Sequence, residues 1–347
     1  LLLLTAIFFG FLSSCKKDFL DRTPGADLSE EKVFGDPALA ASYADNAYNH
    51  LIDEYARFNA HRGTTSQASD EAVSGNTDVS VRTLNQGLFH DHYERGGAPL
   101  NDIGDVWERA YAGIRIANTM LAKMDIIPWT DKDHKDGVVK RIEGEMRFIR
   151  AFLYFELITP FGGVPITDKP ASIFDNVDIP RNTYRECVDF ILEDLNKAEN
   201  LLSLDYETKH YGRATIGSAN ALRSRVLLYA ASPLNNPEGD VEKWKLAAAA
   251  AQKVIDMKRY GLQATYDNIM NMPQSEEYIM IKVRAPRAID GFLLDFVMSP
   301  GSGGAQGSMN PTQNHVDLYD MKATGLPITD IASGYDEQNP YAGRDPR

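Results

Sequence analysis

A mainly α fold follows from three observations. Apolar residues recur at helical spacing across most of residues 36–258, the stripes open on capping signals, and strand-like alternation is confined to one late segment. Asp36-Pro37, a cap followed by a first-turn proline, opens a helix with Leu39, Tyr43, Ala47, Leu51 and Tyr55 on one stripe. Residues 59–100 are rich in Gly, Ser, Thr, Asn and Asp and read as long loops, which inside a compact protein usually carry function. Helices resume at 102–126, with Ile103, Val106, Ala110, Ile114, Ala117 and Leu121 on one face, and 131–137 reads as a polar turn. Residues 138–158 are apolar almost all round, the pattern of a helix buried between others. Phe161-Gly162-Gly163-Val164-Pro165 stops that helix, because its glycines reach conformations other residues avoid and Pro165 forbids continuation.

Thr183-Tyr184-Arg185-Glu186 is a capping box ahead of Tyr184, Val188, Ile191, Leu195, Ala198 and Leu202. Two further helices are expected over 215–232 and 241–258. Arg150 and Tyr154 are echoed by Arg225 and Tyr229 at the same separation, 75 residues on, which is roughly two helix-hairpin repeats of tetratricopeptide length. Beyond about residue 262 the helical pattern fades. Residues 277–283 read as a strand and 301–307 as a glycine-rich loop.

The N-terminus carries a second signal. The apolar run Leu1–Phe11 is too short to span a bilayer and fits the apolar region of an export signal. Leu12-Ser13-Ser14 then precede Cys15, which matches the small residues a lipoprotein signal peptidase requires before an acylated cysteine. The expected organisation is a removed signal over 1–14, lipidation at Cys15, a helical domain over 15–262 and the start of a loop-rich region over 263–347. With no initiator Met and no element closing near Arg347, both ends are expected to be incomplete. The chain has 347 residues, a formal net charge of −13 and a pI near 5.0, which argues against nucleic-acid binding. With Cys15 assigned to the lipid, Cys187 has no disulfide partner and reads as a small buried hydrophobe.

Enzyme signals are poor. His90-Asp91-His92 lacks further ligands at metal-binding spacing, and the run from Asp131 lacks the glycine and glutamate of a calcium loop. Carboxylate pairs such as Asp70-Glu71 are expected by chance among 49 acidic residues, and no nucleophile elbow or phosphate loop is present. No cofactor or metal is therefore expected. Arg147, Arg150 and Glu156 on an apolar helix should tie neighbouring helices together, since an unpaired buried charge is costly. Trp107 reads as core, and Trp129 as either a cover over a helix hairpin or a contact for a partner.

Four stretches, in order, resemble the SusD/RagB family of outer-membrane lipoproteins of Bacteroidetes. They are Ser14-Cys15-Lys16-Lys17-Asp18-Phe19-Leu20-Asp21, Arg147 to Phe155 running into Phe161–Pro165, Arg213-Ala214-Thr215 with Ala221 to Ala231, and Asn310-Pro311-Thr312 with Arg344-Asp345-Pro346-Arg347. The resemblance implies a right-handed array of tetratricopeptide-like helix pairs with a loop-rich C-terminal region carrying a few short strands. It also implies noncatalytic capture of oligosaccharides at the cell surface for a SusC-like TonB-dependent transporter. Family members usually continue past the Arg-Asp-Pro-Arg segment, so the last part of that region is expected to be missing. Sugars are held by aromatic faces and by polar side chains on loops, and the expected contacts are Asp70, Arg82, Asn85, Tyr93, Asn101 and Tyr278. The alternatives are a RagB-like peptide-binding lid, a lipid-anchored protein scaffold and, last, a surface glycosidase.

Overall fold

The computed structural model describes residues 29–52, 65–75, 85–86, 94–95, 98–99, 103–170, 178–265, 275–283, 307 and 309–345. The fold is mainly α, a tetratricopeptide-like succession of helices followed by largely irregular chain. Helices α1 (Glu30–Phe34) and α2 (Pro37–Asp45) open on caps from Ser29 and Asp36, and the Asp36 carboxylate accepts from the amides of Ala38 and Leu39. The expected continuation of α2 to Tyr55 is not followed. The α-helix ends at Asp45, a 3₁₀ turn covers Asn46–His50, and Leu51 is extended, while Tyr55 lies outside the described residues. The Asn49 side-chain amide donates to the Asn46 side-chain oxygen at 2.8 Å across this turn. Ala47 and Leu51 are still buried, so the apolar stripe reports burial correctly but not helix type.

The array proper is α3 (Ile103–Lys123), α4 (Asp131–Lys135), α5 (Val138–Phe161), α6 (Tyr184–Leu201), α7 (Ile216–Ala231) and α8 (Val241–Asp256). The expected polar turn at 131–137 is instead helical over α4, because Thr130 and Asp133 form a capping box. Helix α5 packs against α3 on one side and α6 on the other, and α6, α7 and α8 follow in sequence. It is buried on nearly every face, with Met146, Ile149, Leu153, Tyr154 and Leu157 inaccessible. The expected capping box of Thr183 with Glu186 begins α6, and a further box, Thr215 with Ser218, begins α7. Replacing Thr183 by alanine will lower stability by about 1 kcal/mol, read as a shift in urea midpoint at constant slope.

Arg147 and Arg150 tie neighbouring helices together as expected. The Arg150 guanidinium donates to both Asp194 oxygens, at 2.7 and 2.8 Å, and to Asn118 Oδ1 at 2.7 Å, joining α3, α5 and α6. Arg147 spans Glu143 and Asp194, and Glu156 is fully buried. The internal echo has a structural meaning. Arg150 lies 5.0 Å from the Phe190 ring and Tyr154 meets the same ring edge-on at 5.2 Å. Arg225 and Tyr229 hold Phe155 in the same way, at 5.3 and 5.2 Å. Cys187 is buried and donates to the Val164 carbonyl. Trp107 packs on Tyr111 and Phe161, and Trp129 donates to the Met124 carbonyl at 3.0 Å and so covers its own hairpin.

The later chain is irregular. The expected strand at 277–283 is not one: no ladder partner is present among the described residues, and the segment lies over the connection between α6 and α7. Alternation shows that such a segment has two faces, whereas a strand also needs an edge to pair with. Among the described residues the strands are two residues long: β1 (Ala72–Val73), β2 (Glu94–Arg95), β3 (Ala98–Pro99) and β4 (Asn310–Pro311). β2 pairs antiparallel with β3, and β1 pairs antiparallel with β4, Ala72 opposite Pro311. Helix α9 (Gln313–Asp317) is capped by Thr312, and Arg344 donates to the carbonyls of Val316, Tyr319 and Pro340. No helix among the described residues is long and apolar enough to cross a membrane.

Candidate functional site

Asp70 and Asn85 fall at one corner. The 3₁₀ turn at Thr65–Ala68 is held by Asn85, whose amide donates to the Gln67 carbonyl at 2.8 Å. The Asp70 carbonyl accepts from the Thr312 hydroxyl, and the Thr312 amide donates to the Glu71 carbonyl at 2.9 Å. The Asp70 residue itself is exposed. In this corner Asn85 is a strut, and Asp70 is carried on a loop pinned by β1 and β4. Cys15, Arg82, Tyr93 and Asn101 lie outside the described residues, as does His90-Asp91-His92.

Tyr278 belongs to a different place. It helps to line an open recess of about 100 Å³ between the α6–α7 connection and residues 278–281, with Tyr206, Tyr211 and Tyr260 as further walls. A neighbouring recess of about 270 Å³ shares the Tyr211-Gly212-Arg213 ridge and Ile281, and adds Tyr48, Asn49, Lys209 and Lys282.

The ridge is anchored from behind. Arg213 donates to Asp45 at 2.7 and 3.0 Å and to Glu145 at 3.1 Å, and the Ala214 amide donates to the Tyr48 hydroxyl at 2.9 Å. Burial works against the Arg213 charge, but Asp45 and Glu145 outweigh it and raise the pKa. The rings are seated with equal definition. Tyr206 accepts from the Ser203 amide at 3.2 Å, and Arg259, paired with Asp205, lies over Tyr260. Tyr260 lies so close to Gly217 that a Cβ there would fall 1.8 Å from its hydroxyl. Tyr211 is 38% exposed.

The chemistry available is recognition. Burial raises the pKa values of Tyr48, Tyr206 and Tyr211, so their hydroxyls stay protonated and serve as both donor and acceptor. His210 is held below the usual imidazole range, first by burial and then by Arg141, Arg213 and Lys209. Flat rings that cover C–H faces, with hydroxyls and guanidinium forks at their rims, suit a hydroxyl-rich ligand. Residues 206, 211 and 260 were not singled out from sequence. The available signal was two tyrosines and a glycine inside the polar run Asp205-Tyr206-Glu207-Thr208-Lys209-His210-Tyr211-Gly212 between two helices. A third recess, of about 420 Å³, is lined by Leu228, Leu234, Ile158 and Trp244 among others; its walls are more aliphatic and offer fewer partners to hydroxyls.

The SusD-like family described as starch-binding and associating with the outer membrane matches residues 18–228. A SusD-like protein of Bacteroides ovatus is 26% identical over 280 residues, covering 76% of this chain and 45% of its own length. SusD-like protein P38 of Formosa agariphila is 32% identical over 209 residues, covering 58% of this chain and 37% of its own. The chain thus spans less than half the length of either curated relative. The crystal structure of a SusD-like protein from Bacteroides fragilis superposes with a TM-score of 0.67 at 25% identity, over 94% of this chain and 62% of that one.

Proposed function

This chain belongs to the SusD-like family, and on that premise we propose that it binds oligosaccharides at the outer membrane without cleaving them and passes them to a SusC-like TonB-dependent transporter. Residues 1–14 are a signal removed on export, and acylated Cys15 holds the helical body of residues 15–262 at the membrane. Stable anchoring comes from multiple acyl chains, each buried CH₂ contributing about 0.8 kcal/mol. Residues 263–347 begin the loop-rich region, from which Tyr278 and its neighbours to Ile281 line the recess.

The observation that carries this reading is the open recess walled by Tyr206, Tyr211, Tyr260 and Tyr278, with protonatable and charged groups at its rim. A lid over a transporter has to release its cargo, which favours a shallow aromatic recess over an enclosed cavity. The test is a glycan array followed by calorimetry with protein beginning at Lys16. Retention of at least one polysaccharide class is expected, with Tyr278→Ala weakening binding about tenfold, equal to about 1.4 kcal/mol, and no new reducing ends appearing. Retention of peptides with no glycan bound would overturn the reading in favour of a peptide lid.

A further inference from the structure

The two recesses differ in chemistry and share a wall. The smaller is walled by the rings of Tyr206, Tyr211, Tyr260 and Tyr278. The larger offers polar side chains instead, among them Asn49, Lys209 and Lys282. Tyr211, Gly212, Arg213 and Ile281 line both, so they form the partition between them. Of these four only Tyr211 is exposed, and the Arg213 guanidinium is engaged by Asp45 and Glu145. Much of the charge in the walls is paired, Asp45 with Arg213, Asp205 with Arg259 and Lys209 with Glu207.

The partition is built from two parts of the chain. The ridge of residues 211–213 belongs to the α6–α7 connection, and Ile281 belongs to the later segment. That segment is fastened at both of its ends. The Gly261 amide donates to the Glu276 carbonyl at 3.3 Å, and the Gln263 amide to the Glu277 carboxylate at 3.0 Å. The Lys282 ammonium donates to the Leu51 carbonyl at 3.0 Å. Between these bonds residues 278–281 line the smaller recess, and 281–283 line the larger.

Gly212 sets how closely the two parts approach. Its φ of 87° lies in the left-handed region, which favours glycine. A Cβ there would fall 2.5 Å from Val283 Cγ2 and 3.4 Å from the Ile281 carbonyl oxygen. Val283 lines the larger recess and not the smaller, so a side chain at position 212 displaces the wall of the larger one first.

Ring faces cover the C–H patches of a sugar, and polar side chains bond its hydroxyls. One sugar unit occupies one recess, whereas a chain crossing Tyr211 engages both, the second contact being intramolecular once the first is made. Resting on the carbohydrate-binding reading, we infer that the two recesses are linked subsites for one oligosaccharide laid across Tyr211. The ligand class is a chain of several units rather than a mono- or disaccharide, and Gly212 is the positioning residue that holds the two subsites together.

The experiment is titration calorimetry on the same protein with two neutral ladders, malto-oligosaccharides and laminari-oligosaccharides of increasing length. In at least one ladder the hexasaccharide will bind at least about tenfold more tightly than the disaccharide. Gly212→Ala will shrink that advantage to about twofold or less. Adding Val283→Ala, which removes the conflicting atom, will restore most of it. Gly239→Ala is the control: its φ is 69°, a Cβ there meets nothing within 4 Å, it lines neither recess, and the length dependence will be unchanged. If Gly212→Ala fails to fold by circular dichroism, Tyr211→Ala decides, and it must weaken the hexasaccharide by a larger factor than the disaccharide. Equal affinity for short and long probes, or a length advantage that survives both Gly212→Ala and Tyr211→Ala, overturns the inference and leaves carbohydrate binding standing. A loss that Val283→Ala does not restore overturns the role of Gly212. Failure of both ladders overturns the inference as well, and the glycan array then decides separately whether carbohydrate binding survives.

Discussion

Replacing Asp194 by alanine will lower the unfolding free energy by about 3–5 kcal/mol, read from guanidinium midpoints at unchanged slope. Asp194 is 2% exposed and Arg150 5%, so water cannot take over for the lost carboxylate. The Arg150 guanidinium would keep Asn118 and the face of Phe190 but would carry its charge in a nearly dry site. Arg147 would also lose its contact across to α6. The double replacement Arg150→Met with Asp194→Leu should recover much of the loss, because removing both members of a buried pair is far less costly than removing one. A loss below about 1 kcal/mol for Asp194→Ala would show that the joint between α3, α5 and α6 is held by apolar packing alone.

Gly163→Ala will cost about 3 kcal/mol, at the upper end of overpacking, and will act through backbone. A Cβ at Gly163 would lie 2.0 Å from the Asn182 carbonyl oxygen and 3.0 Å from backbone atoms of Thr183 and Tyr184. None of these can rotate away. The strain would be passed to the Asn182 amide that donates to Val164, to the Asn182 side chain that accepts from the Ile166 amide, and to the cap of α6. The neighbouring Gly162 offers an internal control. Its φ of 69° and ψ of −136° lie where side chains are rarely accommodated, yet a Cβ there meets nothing within 4 Å. Gly162→Ala should therefore cost only the conformational part, about 1–2 kcal/mol. If the two variants have equal midpoints, the close approach at Gly163 does not govern stability.

The helical array was legible because its determinants are local. Stripes such as Val106, Ala110, Ile114 and Ala117 can be read within one segment, and each became buried. Thr183 with Glu186 is likewise a local signal, and Arg150 on an apolar face required a partner that Asp194 supplies. The errors came where a second segment decides. Nothing within residues 277–283 shows that no pairing edge stands beside them among the described residues; the 3₁₀ turn at Asn46–His50 is a separate miss, because the stripe through Ala47 and Leu51 reports burial and not helix type. The recess was least visible. Its walls come from residues 204–215, 259–260 and 278–281, and each tyrosine alone looks like ordinary packing. Tyr278 stands out in the sequence because it flanks loops; Tyr206, Tyr211 and Tyr260 join it in one recess only when the chain folds back over the α6–α7 connection.

The corner that carries Asp70 has a kinetic consequence. The bond from Thr312 to the Asp70 carbonyl joins positions 242 apart, and the β1–β4 ladder it borders is two residues long. Closing so large a loop carries an entropic cost that a few backbone bonds offset only once the helices between have drawn the ends together. This contact therefore zips up last and breathes first. Amide protons at Thr312 should trade with deuterium far sooner than those in the middle of α5, so the latch between the early and late parts of the polypeptide can open while the helical body remains intact.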